Sequence, residues 1–330
     1  MTRRTILFPA TAIALGTLAV LLALEGGLRF AESWRGGIAA LTILPSRMLV
    51  PSRIPGVPME LRPGYTASAR GISINEHGFR SPSFPVEKPA GETRIFVVGD
   101  SVAFGSGLPQ EQTVTAKLQE RFDRGGAVRV VNAAVPGYNA PEILATVEGK
   151  LGPFGPDLLV VYLNFTDVGC PAYVIPRGRL GPALFRRSAL ARAILGRIGS
   201  VQASRESYRH ECFHFGSLML ARLLAYGERD PARWLFVEAP KLGVTDDRPG
   251  KDRAGVYLHE TLAAHAARWI DLGEVYRRRF GTLRGLQLSP TDGHPGAAAT
   301  AAAADAIYER LIADGLPAPR PGAFPASALP

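Results

Sequence analysis

The stretch Ile95-Phe96-Val97-Val98-Gly99-Asp100-Ser101-Val102-Ala103-Phe104-Gly105-Ser106-Gly107 decides how this chain is read. Four consecutive apolar residues suit a strand covered on both faces, the kind found inside parallel sheets. The run ends on Gly-Asp-Ser and a glycine-rich turn. Glycine permits a sharp exit from the strand, and the serine behind it then stands at the rim of the sheet with backbone N–H groups beside it. A hydroxyl is a poor nucleophile until a base takes its proton, so Ser101 gains meaning only with a partner. Without one, Asp100 or Ser101 is simply the cap of the next turn.

Working outward, apolar runs of strand length recur at Arg94 to Val98, Val128 to Asn132, Leu158 to Leu163 and Trp234 to Ala239. Helical stretches alternate with them, the first from Gln112 to Phe122, where Val114, Leu118 and Phe122 share a face. Continuous apolar strands alternating with helices predict an α/β fold with a central parallel sheet covered on both sides. Residues 169–230 interrupt the rhythm with a helical insertion, including Ala183 to Ile198 and Glu206 to Tyr226, expected to cap the site and govern substrate choice. The last helix is expected from Ala297 to Ile312, followed by a disordered Pro/Ala tail over 316–330.

Ligands of open parallel sheets bind beyond the carboxyl ends of the strands. Ser101 lies at one such end. At the second, Val135-Pro136-Gly137-Tyr138-Asn139 could bring the Gly137 N–H to a substrate oxygen, or could be a plain Pro-Gly turn. At the third, Leu163-Asn164-Phe165-Thr166-Asp167 offers polar groups to a developing oxyanion, or merely ends the strand. The partner for Ser101 stands near the C-terminus in Thr291-Asp292-Gly293-His294. A carboxylate beside an imidazole can accept its Nδ1–H and leave Nε2 free to take a serine proton.

In order and spacing these four blocks resemble the SGNH hydrolases, the GDSL-type lipases and esterases, across roughly Arg94 to Leu311. Upstream, ISINEHGFRSP is similar to the segment preceding the catalytic domain in membrane-anchored bacterial members. The resemblance implies a flavodoxin-like three-layer α/β/α sandwich and acyl-ester chemistry without a cofactor or metal. It makes Ser101 the nucleophile, His294 the general base and Asp292 its orienting acid. Ser101, Gly137 and Thr166 or Asn164 would form the oxyanion hole, and Asp100, Asn139 and Asp167 would contact substrate. Two positions depart from the family pattern. Thr166 aligns with the asparagine whose amide normally completes the oxyanion hole, and the acid and histidine are spaced D-x-H where D-x-x-H is commoner.

The rival motif is His210-Glu211-Cys212-Phe213-His214, an HExxH that on a helix would put two zinc ligands on one face, with Glu228 available as a third. The remaining histidines carry less. His259 and His265 fit the solvated face of a helix, and His77 precedes Gly78-Phe79-Arg80 in a segment that could fold back near the site.

Ahead of the globular unit, Arg3 and Arg4 precede an uncharged run of about nineteen residues, Ile6 to Leu24, close to the length that crosses a hydrocarbon core. No small-residue cleavage pattern follows, which favours an uncleaved anchor with its N-terminus in the cytoplasm and the rest of the chain outside. With the family resemblance, this implies a single-pass bacterial inner-membrane protein with a periplasmic domain. Residues 31–93, rich in Pro, Gly and Ser, are expected to form a tether that becomes irregular packing structure, the domain proper starting near Arg94. The formal net charge of +9 comes mostly from arginine, which suits weak attraction to anionic lipid, and no nucleic-acid motif accompanies it. Cys170 and Cys212 are a potential disulfide pair.

The expected function is a membrane-tethered extracytoplasmic ester hydrolase or acyltransferase acting on an O-acylated glycan or a lipid ester. The alternative is a catalytically weak or inactive fold kept as a glycan-binding or assembly subunit.

Overall fold

The structure, a computed structural model, describes residues 3–34, 47–123, 128–170, 181–194, 206–243 and 253–315. Its centre is a parallel sheet of five strands: β1 (Thr93–Val98), β2 (Val128–Asn132), β3 (Leu158–Leu163), β4 (Trp234–Glu238) and β5 (Trp269–Asp271). Their spatial order is 2-1-3-4-5, the flavodoxin-like order, with its switch point between β1 and β3. Every residue of β1 and β3 is buried, as the continuous apolar runs demand.

Crossover handedness distributes the helices. The step from β1 to β2 runs one way across the sheet and the step from β2 to β3 the other, so right-handed crossovers put the intervening helices on opposite faces. The helices α3 (Val114–Phe122), α9 (Leu272–Phe280) and α10 (Ala297–Ala313) pack as one group. The other group is α4 (Ala140–Gly149), α7 (Glu206–Arg229) and α8 (Arg253–His265). The outer edge of β2 is closed by a side chain: the Gln119 amide accepts the Val130 N–H at 2.7 Å and donates to the Val128 carbonyl at 2.9 Å. A neighbouring strand would satisfy the same two groups, so Gln119 blunts the edge against unwanted pairing.

Where it is described, the segment preceding β1 packs on the sheet. Residues 47–93 enter the core through Leu49, Ile54, Val57, Met59 and Leu61, and through Phe79 and Phe84, whose rings contact Phe96 and Phe154. Without this segment β1 would be stripped of its aromatic cover. Residues 35–46 lie outside the described part of the chain.

Helix α1 (Arg3–Trp34) contains a 20-residue stretch, Thr11–Phe30, of mean hydropathy 1.8, none of it counted as buried and long enough to cross a membrane. Within the insertion, α5 (Gly181–Arg187) is followed by α6, described over 189–194, and then by α7. Parts of the insertion expected to be helical up to Ile198, and the tail over 316–330, lie outside the described residues. Cys170 and Cys212 form a disulfide with Cα atoms 4.8 Å apart, tying the loop after β3 to α7. A cross-link over this separation of 42 residues removes unfolded-chain entropy worth about 4 kcal/mol in the loop-closure account.

Candidate active site

The carboxyl edge of the sheet carries the predicted residues. After β1 the chain passes through Gly99, where a side chain could not fit: a Cβ there would lie 2.6 Å from the Tyr162 carbonyl oxygen and 2.8 Å from the Ala103 Cβ. The turn opens the short helix α2 (Ser101–Phe104), capped by Asp100, whose carboxylate accepts the Val102 N–H at 2.8 Å. Ser101 is thus the first helical residue, with its N–H outside the intrahelical ladder. This turn is clasped from outside. Arg80 is fully buried and donates to the carbonyls of Phe104 and Gly105 at 2.9 Å and of Leu108 at 2.6 Å, with its guanidinium 4.6 Å from the Phe104 ring centroid. Burial lowers the Arg80 pKa to about 10, leaving it charged at neutral pH.

His294 reaches Ser101 from a C-terminal hairpin, Gln287–Ser289 paired with Asp292–Pro295. His294 Nε2 lies 2.9 Å from Ser101 Oγ, and its Nδ1 lies 2.6 Å from Asp292 Oδ1. The same Asp292 oxygen accepts the His294 backbone N–H at 3.0 Å. Ionised Asp292 can only accept, so the shared proton sits on Nδ1, and Nε2 is left to accept the serine proton. The hairpin explains the D-x-H spacing. On an extended strand residues i and i+2 share a face, so an acid two positions before the histidine can reach its ring. Partial burial pushes the Asp292 carboxyl up, but the two His294 donors and the imidazole charge outweigh that and hold it below the usual carboxylate range.

The second block forms a turn in which the Tyr138 N–H donates to the Val135 carbonyl at 3.2 Å, with Gly137 at φ 86°. Proline then glycine at the two central positions is the type II pattern, which leaves the Gly137 N–H unused by the turn.

In the third block, Thr166 is exposed and its hydroxyl donates to Asn164 Oδ1 at 2.8 Å, with Asp100 Oδ2 at 3.4 Å. Asn164 is buried. Its Nδ2 lies near enough to help hold the Asp100 carboxyl down, yet finds no acceptor in hydrogen-bonding geometry. Of the two residues expected to finish the oxyanion hole, only Thr166 therefore presents a polar atom to the surface.

The three expected substrate contacts are corrected by burial. Asp100, Asn139 and Asp167 are 5%, 2% and 0% exposed, too enclosed to touch a substrate. Each serves the scaffold: Asp100 caps α2, Asn139 caps α4 and donates to the Gly169 carbonyl at 3.0 Å, and Asp167 accepts the Asn164 N–H. Burial raises the pKa of Asp100 and, more strongly, of Asp167, which also feels Asp100; burial also raises Glu142, to about 8.

Two features at this edge went unread in the sequence. Lys241, just beyond β4, is exposed with its Nζ 4.9 Å from the Phe165 ring centroid. Arg80 is the other: its guanidinium serves three main-chain carbonyls, which have no side-chain signature, besides the Gln110 side chain thirty residues on.

The zinc alternative loses its ligand set. His210 and His214 lie exposed on α7, and Cys212 between them is spent in the disulfide. Glu228 is on the same helix fourteen residues past His214, about 21 Å along the axis, too far to share an ion with it. Among the described residues no three His, Cys, Asp or Glu side chains are grouped to hold a metal.

No family model and no curated protein matches the sequence. Solved structures do match. A structure of TesA shares 20% identity over 67% of this chain and 97% of its own, at a TM-score of 0.42. An acetylxylan esterase from Geobacillus stearothermophilus shares 14% over 67% and 95%, at 0.44. A putative lipolytic protein of the G-D-S-L family from Desulfitobacterium hafniense shares 13% over 67% and 100%, at 0.42. Strand order and crossover pattern, not these distant likenesses, carry the fold assignment.

Proposed function

We propose that this chain is an SGNH-type ester hydrolase or acyltransferase, tethered to the membrane with its catalytic domain outside the cytoplasm. The observation that carries the reading is the continuous hydrogen-bonded chain from Ser101 Oγ through His294 to Asp292. Ser101 Oγ attacks the ester carbonyl carbon while His294 Nε2 takes its proton. The carbonyl π electrons move to the oxygen, which accepts from the Ser101 and Gly137 N–H groups and from the Thr166 hydroxyl once that rotates off Asn164. Collapse expels the alcohol, which receives the proton from His294, and leaves an acyl-serine. Water or an acceptor hydroxyl then repeats the sequence, giving the free acid or a new ester.

Asp292 keeps the imidazole in the required tautomer and offsets its charge when protonated. Topology is supported by the apolar stretch of α1 behind Arg3 and Arg4, and by a disulfide, which persists in oxidising compartments. An O-acylated envelope glycan or a lipid ester is the substrate class in keeping with that location.

Fluorophosphonate labelling of the full chain tests the chemistry. Wild type is expected to label and to cleave short acyl esters, and Ser101→Ala to do neither. Absence of Ser101-dependent labelling would overturn the enzyme reading in favour of a glycan-binding subunit, the role a site lacking the family's side-chain amide at Thr166 could still fill.

A further inference from the structure

The anchor helix does not merely precede the domain. Glu25 sits near the outer end of the apolar stretch of α1, where a carboxylate is costly unless partnered. Its partners belong to the insertion. Glu25 Oε2 accepts the Ser188 hydroxyl at 2.8 Å and the Leu190 N–H at 2.9 Å, and Oε1 accepts the Ala189 N–H at 3.0 Å. Arg29, one turn on, donates to Glu25 at 2.6 Å and to the Arg187 carbonyl. Between Thr11 and Phe30 only Glu25 and Leu28 are even half-buried, so this single face docks on the insertion while the other residues of the stretch are exposed.

Flanking the clamp, the insertion exposes large apolar side chains. Leu184 is 55% and Ile194 51% exposed, whereas Phe185 and Ala189 on the same two helices are buried. Exposed Arg187 and Arg29 stand beside them. Apolar tips with guanidinium groups alongside match a lipid surface, where arginine reaches phosphates while neighbouring side chains enter the acyl boundary.

We propose that residues 181–194 form a membrane-surface element. Clamped by Glu25 at the level where α1 leaves the hydrocarbon, they lie in the headgroup layer with Leu184 and Ile194 against acyl chains and Arg29 and Arg187 on lipid phosphates. Nearer the site, the Cys170–Cys212 bond joins the insertion's last helix to the loop carrying Thr166, and α7 packs at Gly216 on the Val168 backbone. The inference rests on the membrane-anchor half of the function proposed above and not on its ester chemistry.

Fluorophores on single new cysteines in the full chain, reconstituted into phosphatidylcholine–phosphatidylglycerol vesicles carrying nitroxide lipids, test it. Leu184→Cys and Ile194→Cys labels are expected to be quenched by shallow nitroxides well beyond a label at Glu309→Cys on α10. Glu25→Ala, and more mildly Glu25→Gln, should lose that quenching while a label at Leu18→Cys remains quenched by deep nitroxides. If positions 184 and 194 behave like 309 while 18 is quenched, the surface element is wrong and the anchor stands. An unquenched label at 18 removes both. Esterase activity enters none of these outcomes.

Discussion

Two carboxylate–imidazole pairs stand at the carboxyl edge of the same sheet. One is Asp292–His294, 2.6 Å between its atoms, and the other is Glu238–His259, at the end of β4, at 3.0 Å. Both use Nδ1 against an acid. The first imidazole continues to the Ser101 hydroxyl, while the second rests edge-on against the Trp269 ring at 5.3 Å. Their acids also differ. Asp292 is held below its usual pKa by the His294 donors, whereas burial, reinforced by Asp271, pushes Glu238 up to about 7 despite His259. A paired acid and histidine thus mark neither catalysis nor its absence; the third group and the acid's charge state separate them.

Mutation can break this contrast. The largest expected effect is that of Ser101→Ala or His294→Ala, each lowering kcat by at least roughly 10⁴-fold, with the double variant little worse because the residues act as one unit. Steady-state hydrolysis of a short acyl ester measures it. Asp292→Asn should cost roughly 10³ to 10⁴-fold by letting the wrong tautomer in, and an unchanged kcat would reduce Asp292 to the rank of Glu238. Thr166→Ala should cost roughly 10²-fold in kcat with KM little altered, as for one oxyanion donor.

A smaller test uses pH, with opposite signs for the two acids. Glu238 binds its proton more tightly folded than unfolded, so its contribution to stability is complete below its ordinary value of 4.5 and is lost as pH rises toward about 7. Asp292, shifted down, contributes above its ordinary 3.8 and loses that contribution on acidification. Denaturant midpoints across pH should therefore flatten between about 4.5 and 7 in Glu238→Gln but not in Asp292→Asn. The smallest expected effect is that of His259→Ala, about 0–1 kcal/mol of stability for a half-exposed pair, with hydrolysis unchanged.

How far the molecule could be read in advance follows the range of each interaction. Strands β1 and β3 were legible because full burial favours long apolar runs, and β2 and β4, half-buried at one end, kept enough of that pattern to stand out. The three-residue β5, half-buried at both ends, had too little pattern to stand out. Ser101 and His294 were legible as residues, but the D-x-H geometry depends on a hairpin whose pairing is set by backbone contacts. Asp100, Asn139 and Asp167 show where residue type alone is ambiguous: strand ends that bind ligands also need polar groups to cap the turns, and the residue types are the same. Burial alone tells the two uses apart.

Arg80 carries a consequence for anyone moving parts between proteins. Its guanidinium satisfies three carbonyls of the Ser101 turn from a segment twenty-one positions upstream. Lysine has neither the planar fork nor enough fixed donors to replace it. The serine turn is therefore not portable: grafted onto another sheet, or expressed from Arg94 onward, it would lose the guanidinium that gathers its carbonyls, the Leu108 carbonyl above all, and its shape would have to be supplied by the new host.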